Sequence, residues 1–175
     1  YDGGKNWKKL GSKEGLPEGE LGRMGLTISR SKPDVVYALI ESKKNALYRS
    51  LDGGTKWEMV NDKPGEIGDR PFYYYEIHSD PKNENRLYTI FSGINISEDG
   101  GKSFRPLIQM MSGVHPDHHA WWIDPNDPSF MIDGNDGGLN ITQDMGKTWR
   151  FAENIPVGQF YHVNVDMNHP YNVYG

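Results

Sequence analysis

Apolar and polar residues alternate in short runs along this chain, and each run stops at a proline turn or a glycine pair. Alternation with a period of two predicts strands that bury one face. In the best-formed stretch, His118 to Asp124 reads as a strand and Asp124-Pro125-Asn126-Asp127-Pro128 as a turn. Phe130 to Asp133, Gly137 to Thr142 and Thr148 to Ala152 then read as three more strands. Proline fixes φ in such turns, and Asp or Asn side chains close on their own backbone. The same cut fits upstream. Tyr73 to His78, Arg86 to Phe91, Gly93 to Ser97 and Ser103 to Leu107 form one set of four, with a turn at Asp80-Pro81-Lys82-Asn83. Met24 to Ser29, Val35 to Ile40, Ala46 to Ser50 and Lys56 to Val60 form another, turning at Lys32-Pro33-Asp34. A last unit begins at Phe160 to Asp166 and turns at Asn168-His169-Pro170. No segment combines helical caps with a sustained 3.6-residue period.

The third and fourth strands of each unit are joined by one motif. Ser50-Leu51-Asp52-Gly53-Gly54-Thr55-Lys56-Trp57, Ser97-Glu98-Asp99-Gly100-Gly101-Lys102-Ser103-Phe104 and Thr142-Gln143-Asp144-Met145-Gly146-Lys147-Thr148-Trp149 are three copies. Asp2-Gly3-Gly4-Lys5-Asn6-Trp7 is a fourth without its front. The aspartates lie 50, 47 and 45 residues apart. That period predicts one four-stranded unit per repeat, stacked radially. The expected architecture is all-β: β-propeller blades of four antiparallel strands in a partial ring. The blades fall near 1–10 (partial), 23–60, 72–109, 118–155 and 160–175 (partial), and the remaining blades are expected elsewhere in a longer protein. The motif has a mechanical reading. Asp52, Asp99, Asp144 and Asp2 accept backbone N–H groups of their own turn. The glycines supply positive φ. Trp57, Phe104, Trp149 and Trp7 offer rings to pack on neighbouring sheets.

Composition narrows the function. The net charge of −5, with both signs interspersed, argues against a nucleic-acid surface. No apolar run approaches the roughly 20 residues of a membrane span. The absence of cysteine excludes disulfides and thiolate metal sites.

The four motif copies resemble Asp-boxes, also called BNR repeats. These occur in the β-propellers of sialidases, oligoxyloglucan-type glycoside hydrolases and sortilin-type receptors. The stretch from His115 to Gly175 is similar to bacterial proteins grouped with sortilin N-terminal propellers and labelled glycosyl hydrolase. The resemblance implies a propeller, a secreted or cell-surface protein, and a glycan or peptide ligand. It specifies fold more than activity, because enzymes and binding proteins share the box.

Strand alternation decides which loops meet. The turns between strands one and two lie on the same side as the Asp motifs. The loops between strands two and three, and between units, share the opposite side. There His115-Pro116-Asp117-His118-His119 and Asp133-Gly134-Asn135-Asp136-Gly137-Gly138 are expected to meet at the mouth of one blade. Arg70 and Phe72 flank them from one neighbour, and Gln159, Tyr161 and His162 from the other. Three readings stand side by side. Asp133, Asn135 and Asp136 are turn formers, with His118 and His119 packed in a strand. Alternatively, the loops bind or cleave a glycan. Oligoxyloglucan-type hydrolases place a catalytic Asp in an Asp-x-Gly-Gly context, to which Asp136-Gly137-Gly138 is similar but one residue shorter. Hydrolysis needs two carboxylates about 5–10 Å apart, and Asp117 is the nearby partner. Finally, Asp133, Asn135 and Asp136 could offer oxygens to Ca²⁺, or His115, His118 and His119 nitrogens to Zn²⁺. Trp121 and Trp122 point to opposite sheet faces. One is expected in the core and the other, taken as Trp122, to stack on a sugar.

Overall fold

The computed structural model describes residues 2–109, 112–158 and 162–174. Three antiparallel sheets of four strands follow one another along the chain. The first holds β1 (Met24–Ile28), β2 (Val36–Ile40), β3 (Ala46–Ser50) and β4 (Glu58–Asn61). A one-turn helix α1 (Pro64–Ile67) leads to the second: β5 (Glu76–Asp80), β6 (Asn83–Ile90), β7 (Ile94–Ser97) and β8 (Arg105–Pro106). The third holds β9 (His118–Ile123), β10 (Met131–Asn135), β11 (Gly138–Thr142) and β12 (Arg150–Phe151). A two-stranded ribbon of β13 (Asn164–Val165) and β14 (Val173–Tyr174) ends the described chain. Within each four-stranded sheet, strands neighbouring in sequence neighbour in space, the up-and-down meander of a propeller blade.

The sheets stack through two apolar layers. Tyr37, Leu39 and Leu47 of the first sheet meet Ile77 and Leu87 of the second, joined by Ile67 from the short helix, with Phe104 packed against them. Tyr88, Ile90, Ile94 and Ile96 of the second meet Trp121 and Met131 of the third, flanked by Trp149. Central strands are buried on both faces, so β2 and β6 are almost wholly apolar at their ends nearest the loops.

The repeated Asp turn explains the period physically. Asp99 accepts the Ser103 amide at 3.0 Å, the Ser103 hydroxyl at 2.6 Å and the Ser97 hydroxyl at 2.8 Å. The Ser97 oxygen in turn accepts the Gly101 amide at 2.9 Å. Asp52 and Asp144 repeat this pattern with Ser50 and Thr142. Every copy places two consecutive residues in the left-handed region, and in the third copy the first of them is Met145 at φ +61°. In each four-stranded sheet the Asp turn also bonds to the turn between strands one and two or the start of strand two: Gly53 to Asp34, Gly100 to Asn85, Met145 to Ser129, all by amide to carbonyl. Both turn types therefore share one end of the stack.

Three departures from the sequence reading have clear causes. The second sheet starts at Glu76 instead of Tyr73, because the amides of Tyr73 and Tyr74 fold back onto the Arg70 carbonyl. The fourth strands of the second and third sheets shrink to two residues each, as exposed edges with Pro106 lacking a donor. Trp57 packs with Leu16 and Leu21 on the first sheet, whereas Trp7 is 89% exposed and packs against no sheet. Its indole N–H still closes on Gly4, as those of Trp57 and Trp149 close on Gly54 and Gly146.

Candidate functional site

The site grows from a β-bulge. In the pairing of β9 with β10, His118 faces Asn135 and Ala120 faces Gly134, leaving His119 as the extra residue. A bulge shifts the alternation by one. His118 and Trp121 thus both turn inward, three residues apart, while His119 turns to solvent.

Inward, His118 Nδ1 lies 2.9 Å from both oxygens of Asp133, and neither side chain reaches solvent to any useful extent. Asn135 donates to Asp133 at 2.8 Å and to Asn140 at 3.0 Å, and its own oxygen accepts the Gly137 amide. This closed network fixes the internal loop. Buried polar groups persist where each finds a partner.

Outward, His119 Nε2 meets Asp136 Oδ1 at 3.2 Å. Its ring packs edge-on against Tyr73 at 5.5 Å and tilted against Tyr74 at 5.2 Å. The Tyr74 hydroxyl donates to Asp117 at 2.6 Å. Burial pushes this phenol up to about 12, and the hydrogen bond to Asp117 and its negative charge add to the shift. Arg70 lies 3.6 Å from the same carboxylate and 5.2 Å above the Tyr74 ring. Asp117 itself sits at φ +63°, a left-handed position uncommon for a residue with a side chain. Two backbone bonds hold it there: its amide donates to Ser92, and its carbonyl accepts the Asp136 amide.

The belt continues onto the first sheet. Arg23, just before β1, donates to the Tyr73 carbonyl and lies 3.8 Å from Glu76. Glu76 meets His78 Nε2 at 3.4 Å. That hydrogen bond, partly offset by burial, holds the Glu76 carboxyl below its ordinary value, helped by the charges of His78, Arg23 and His119. One continuous line of contacts thus crosses the loop ends of β1, β5 and β9.

The structure brings Asp136, Asp117, His119 and Arg70 together, with Asp133, Asn135 and His118 buried beneath them. His115 lies against Gly137, where any Cβ would meet it at 2.6 Å, and its Nδ1 turns to the Pro116 carbonyl. The metal readings do not fit this arrangement. Asp133 is spent on His118, Asp136 on His119, and His118 and His119, adjacent in the strand, point to opposite faces. Among the described residues no three His, Asp or Glu side chains converge as ligands. Trp122 is also not part of the cluster. It lies toward the Asp124-Pro125 end of β9, where its ring packs edge-on against Phe130 at 5.9 Å. Tyr161 and Gln159 lie outside the described residues. Sequence reasoning missed Arg23 and Glu76. The rule that loops between units share the mouth could have found both, since each stands where such a loop enters an innermost strand.

No family model matches the chain, and no curated protein is similar to it in sequence. Solved structures are similar in fold. A GH74 enzyme from Niastella koreensis aligns over 72% of the chain with a TM-score of 0.60 and 18% identity. A GH74 xyloglucanase from Xanthomonas campestris aligns over 81% with a TM-score of 0.60 and 14% identity. The chain spans only 22% and 24% of those proteins. At such identities the likeness is one of fold, and it agrees with blades of a β-propeller.

Proposed function

We propose that this chain supplies part of the glycan-binding face of an Asp-box propeller. The observation that carries the reading is the aromatic group of Tyr73, Tyr74 and His119 set between two anchored carboxylates, Asp117 and Asp136. A sugar presents hydroxyls at its edge and apolar C–H bonds on its faces. Fixed carboxylates and a guanidinium take the first, and exposed rings take the second. Tyr73 is 55% exposed, and Phe72 beside it in sequence is 74% exposed. On this reading the module works secreted or at the cell surface, where polymeric glycans are met. A peptide is the other ligand class such a surface accepts.

Hydrolysis is the competing activity, favoured by Asp136 beside two glycines and by fold neighbours that include a xyloglucanase. It would need Asp117 or a residue beyond this chain as second carboxylate. Asp117 accepts from a tyrosine hydroxyl and faces an arginine, the surroundings of a fixed acceptor. Binding without turnover therefore fits better.

The test is Asp136→Asn, with circular dichroism to check the fold and a panel of xyloglucan oligosaccharides, β-glucans, sialosides and peptides. A glycan binder loses affinity about tenfold or more and shows no turnover in either form. Turnover by wild type, lost in the variant, would establish the hydrolase instead. Equal glycan binding by both would remove Asp136 from any site.

A further inference from the structure

Trp122, excluded from the loop-face cluster, lines a second depression at the other end of the innermost strands. Its volume is about 310 Å³, at the small end of ligand sites and enough for one sugar ring. Thr27, Ile28 and Arg30 come from the first sheet, His78, Ser79 and Pro81 from the second, Trp122 and Pro125 from the third. All lie at or beside the ends of β1, β5 and β9 remote from Asp136, save His78, which stands mid-strand and reaches Glu76 of the belt.

The chemistry of the lining is specific. Arg30 is exposed, and no described carboxylate stands within ion-pair distance of it. The carboxylates of the flanking Asp-Pro turns, Asp80 and Asp124, are occupied. Asp80 holds Arg86 at 3.1 Å and the Lys82 amide at 2.7 Å, and Asp124 holds the Asn126 amide at 2.7 Å. Trp122 is 46% exposed. Thr27 and Ser79 join the first two sheets through hydroxyls 3.1 Å apart, which fixes the floor. His78 is half-exposed, with Nε2 turned to Glu76.

We propose that this depression binds an acidic monosaccharide unit, a hexuronate. The free guanidinium takes the carboxylate through paired N–H donors, a geometry arginine matches well. The indole takes the apolar face of the ring. The site is separate from the loop-face site, and neither proposal depends on the other.

The experiment titrates the ¹⁵N-labelled chain with glucuronate, glucose and acetate, following the Trp122 indole N–H and measuring affinity by calorimetry. The expected result is saturable binding of glucuronate that shifts the Trp122 signal. Its affinity exceeds those of glucose and acetate by at least tenfold. Arg30→Gln lowers the glucuronate affinity by at least tenfold and leaves the circular dichroism spectrum unchanged. Trp122→Ala lowers it as well, and Trp122→Phe restores part of the loss. Equal affinity for acetate and glucuronate would reduce the site to a bare anion contact and overturn the sugar assignment. Glucuronate binding that ignores Arg30→Gln, or that leaves the Trp122 signal unmoved, would overturn the site.

Discussion

Replacing Asp99 by alanine isolates what the repeated turn contributes. The carboxylate accepts three hydrogen bonds. The Ser103 amide and hydroxyl are exposed and can turn to water, so their loss costs little. Ser97 is different, being 1% exposed, with its oxygen already holding the Gly101 amide. Without Asp99 its hydroxyl proton has no acceptor. An unsatisfied buried donor costs about 1–3 kcal/mol, and the lost charge-assisted bonds stay within the same range after rehydration. The expected destabilisation is thus about 1–3 kcal/mol, or a fall in Tm of roughly 2–10 °C for a chain of this size. Asp2→Ala is the control. Asp2 forms the same turn, accepting the Lys5 amide at 3.1 Å, but its ring partner Trp7 is exposed and packs nothing. That variant should leave Tm within about 1 °C. Thermal unfolding followed by tryptophan fluorescence separates the two. If Asp99→Ala melts with wild type, or Asp2→Ala falls as far, then burial of the serine link does not set the cost.

Three further outcomes follow from the same geometry. Gly101 lies at φ +86°, and a Cβ there would approach Leu47 Cδ2 to 2.6 Å, whereas Gly53 at φ +71° has nothing within 4 Å. Gly101→Ala should therefore cost about 2–4 kcal/mol and Gly53→Ala about 1–2 kcal/mol, measured by urea unfolding. Asp144 is lowered from 3.8 to about 2, first by the Thr148 hydroxyl and amide. A depressed carboxyl contributes stability above its unfolded value that is lost as pH falls, so the acid limb between about pH 4 and pH 2 should flatten in Asp144→Asn. An unchanged acid profile would contradict this. His118→Ala strands the Asp133 carboxylate in the core and should cost about 3–5 kcal/mol. The paired change His118→Leu with Asp133→Leu should cost less than that single change, and strict additivity would refute the coupling.

The blades were readable because their turn chemistry is local. An Asp, two left-handed positions and a ring within eight residues dictate a turn wherever they fall, and strand alternation then fixes which loops meet. That carried Asp117, Asp136 and Arg70 to one mouth. The bulge at His119 was not readable, because nothing in His118-His119-Ala120 marks an extra residue and the pairing partner across the sheet decides it. Without the bulge, His118 and Trp121 cannot share a face, so their joint burial was not legible; the opposite facing of His118 and His119 follows from strand alternation alone. The position of Trp122 was only half legible, for a related reason. Alternation gave its face but not its height along the strand, and four residues of strand separate it from the mouth. Arg23 and Glu76 carry no turn signal and reach the belt only through stacking of the sheets.

The belt from Arg23 through Glu76 and Tyr73 to His119 has a mechanical consequence. Its members belong to three separate sheets, which packed side chains and a few hydrogen bonds between sheets hold in register. In stacked repeats, stability resides largely in such interfaces. A ligand spanning the belt would act as a clamp, because it favours the docked arrangement over any state in which one sheet has slid or parted. Occupancy at the mouth would then slow amide exchange at Phe104 and Trp149, positions the ligand never touches, and weakening either ring contact would loosen the grip on the ligand in return.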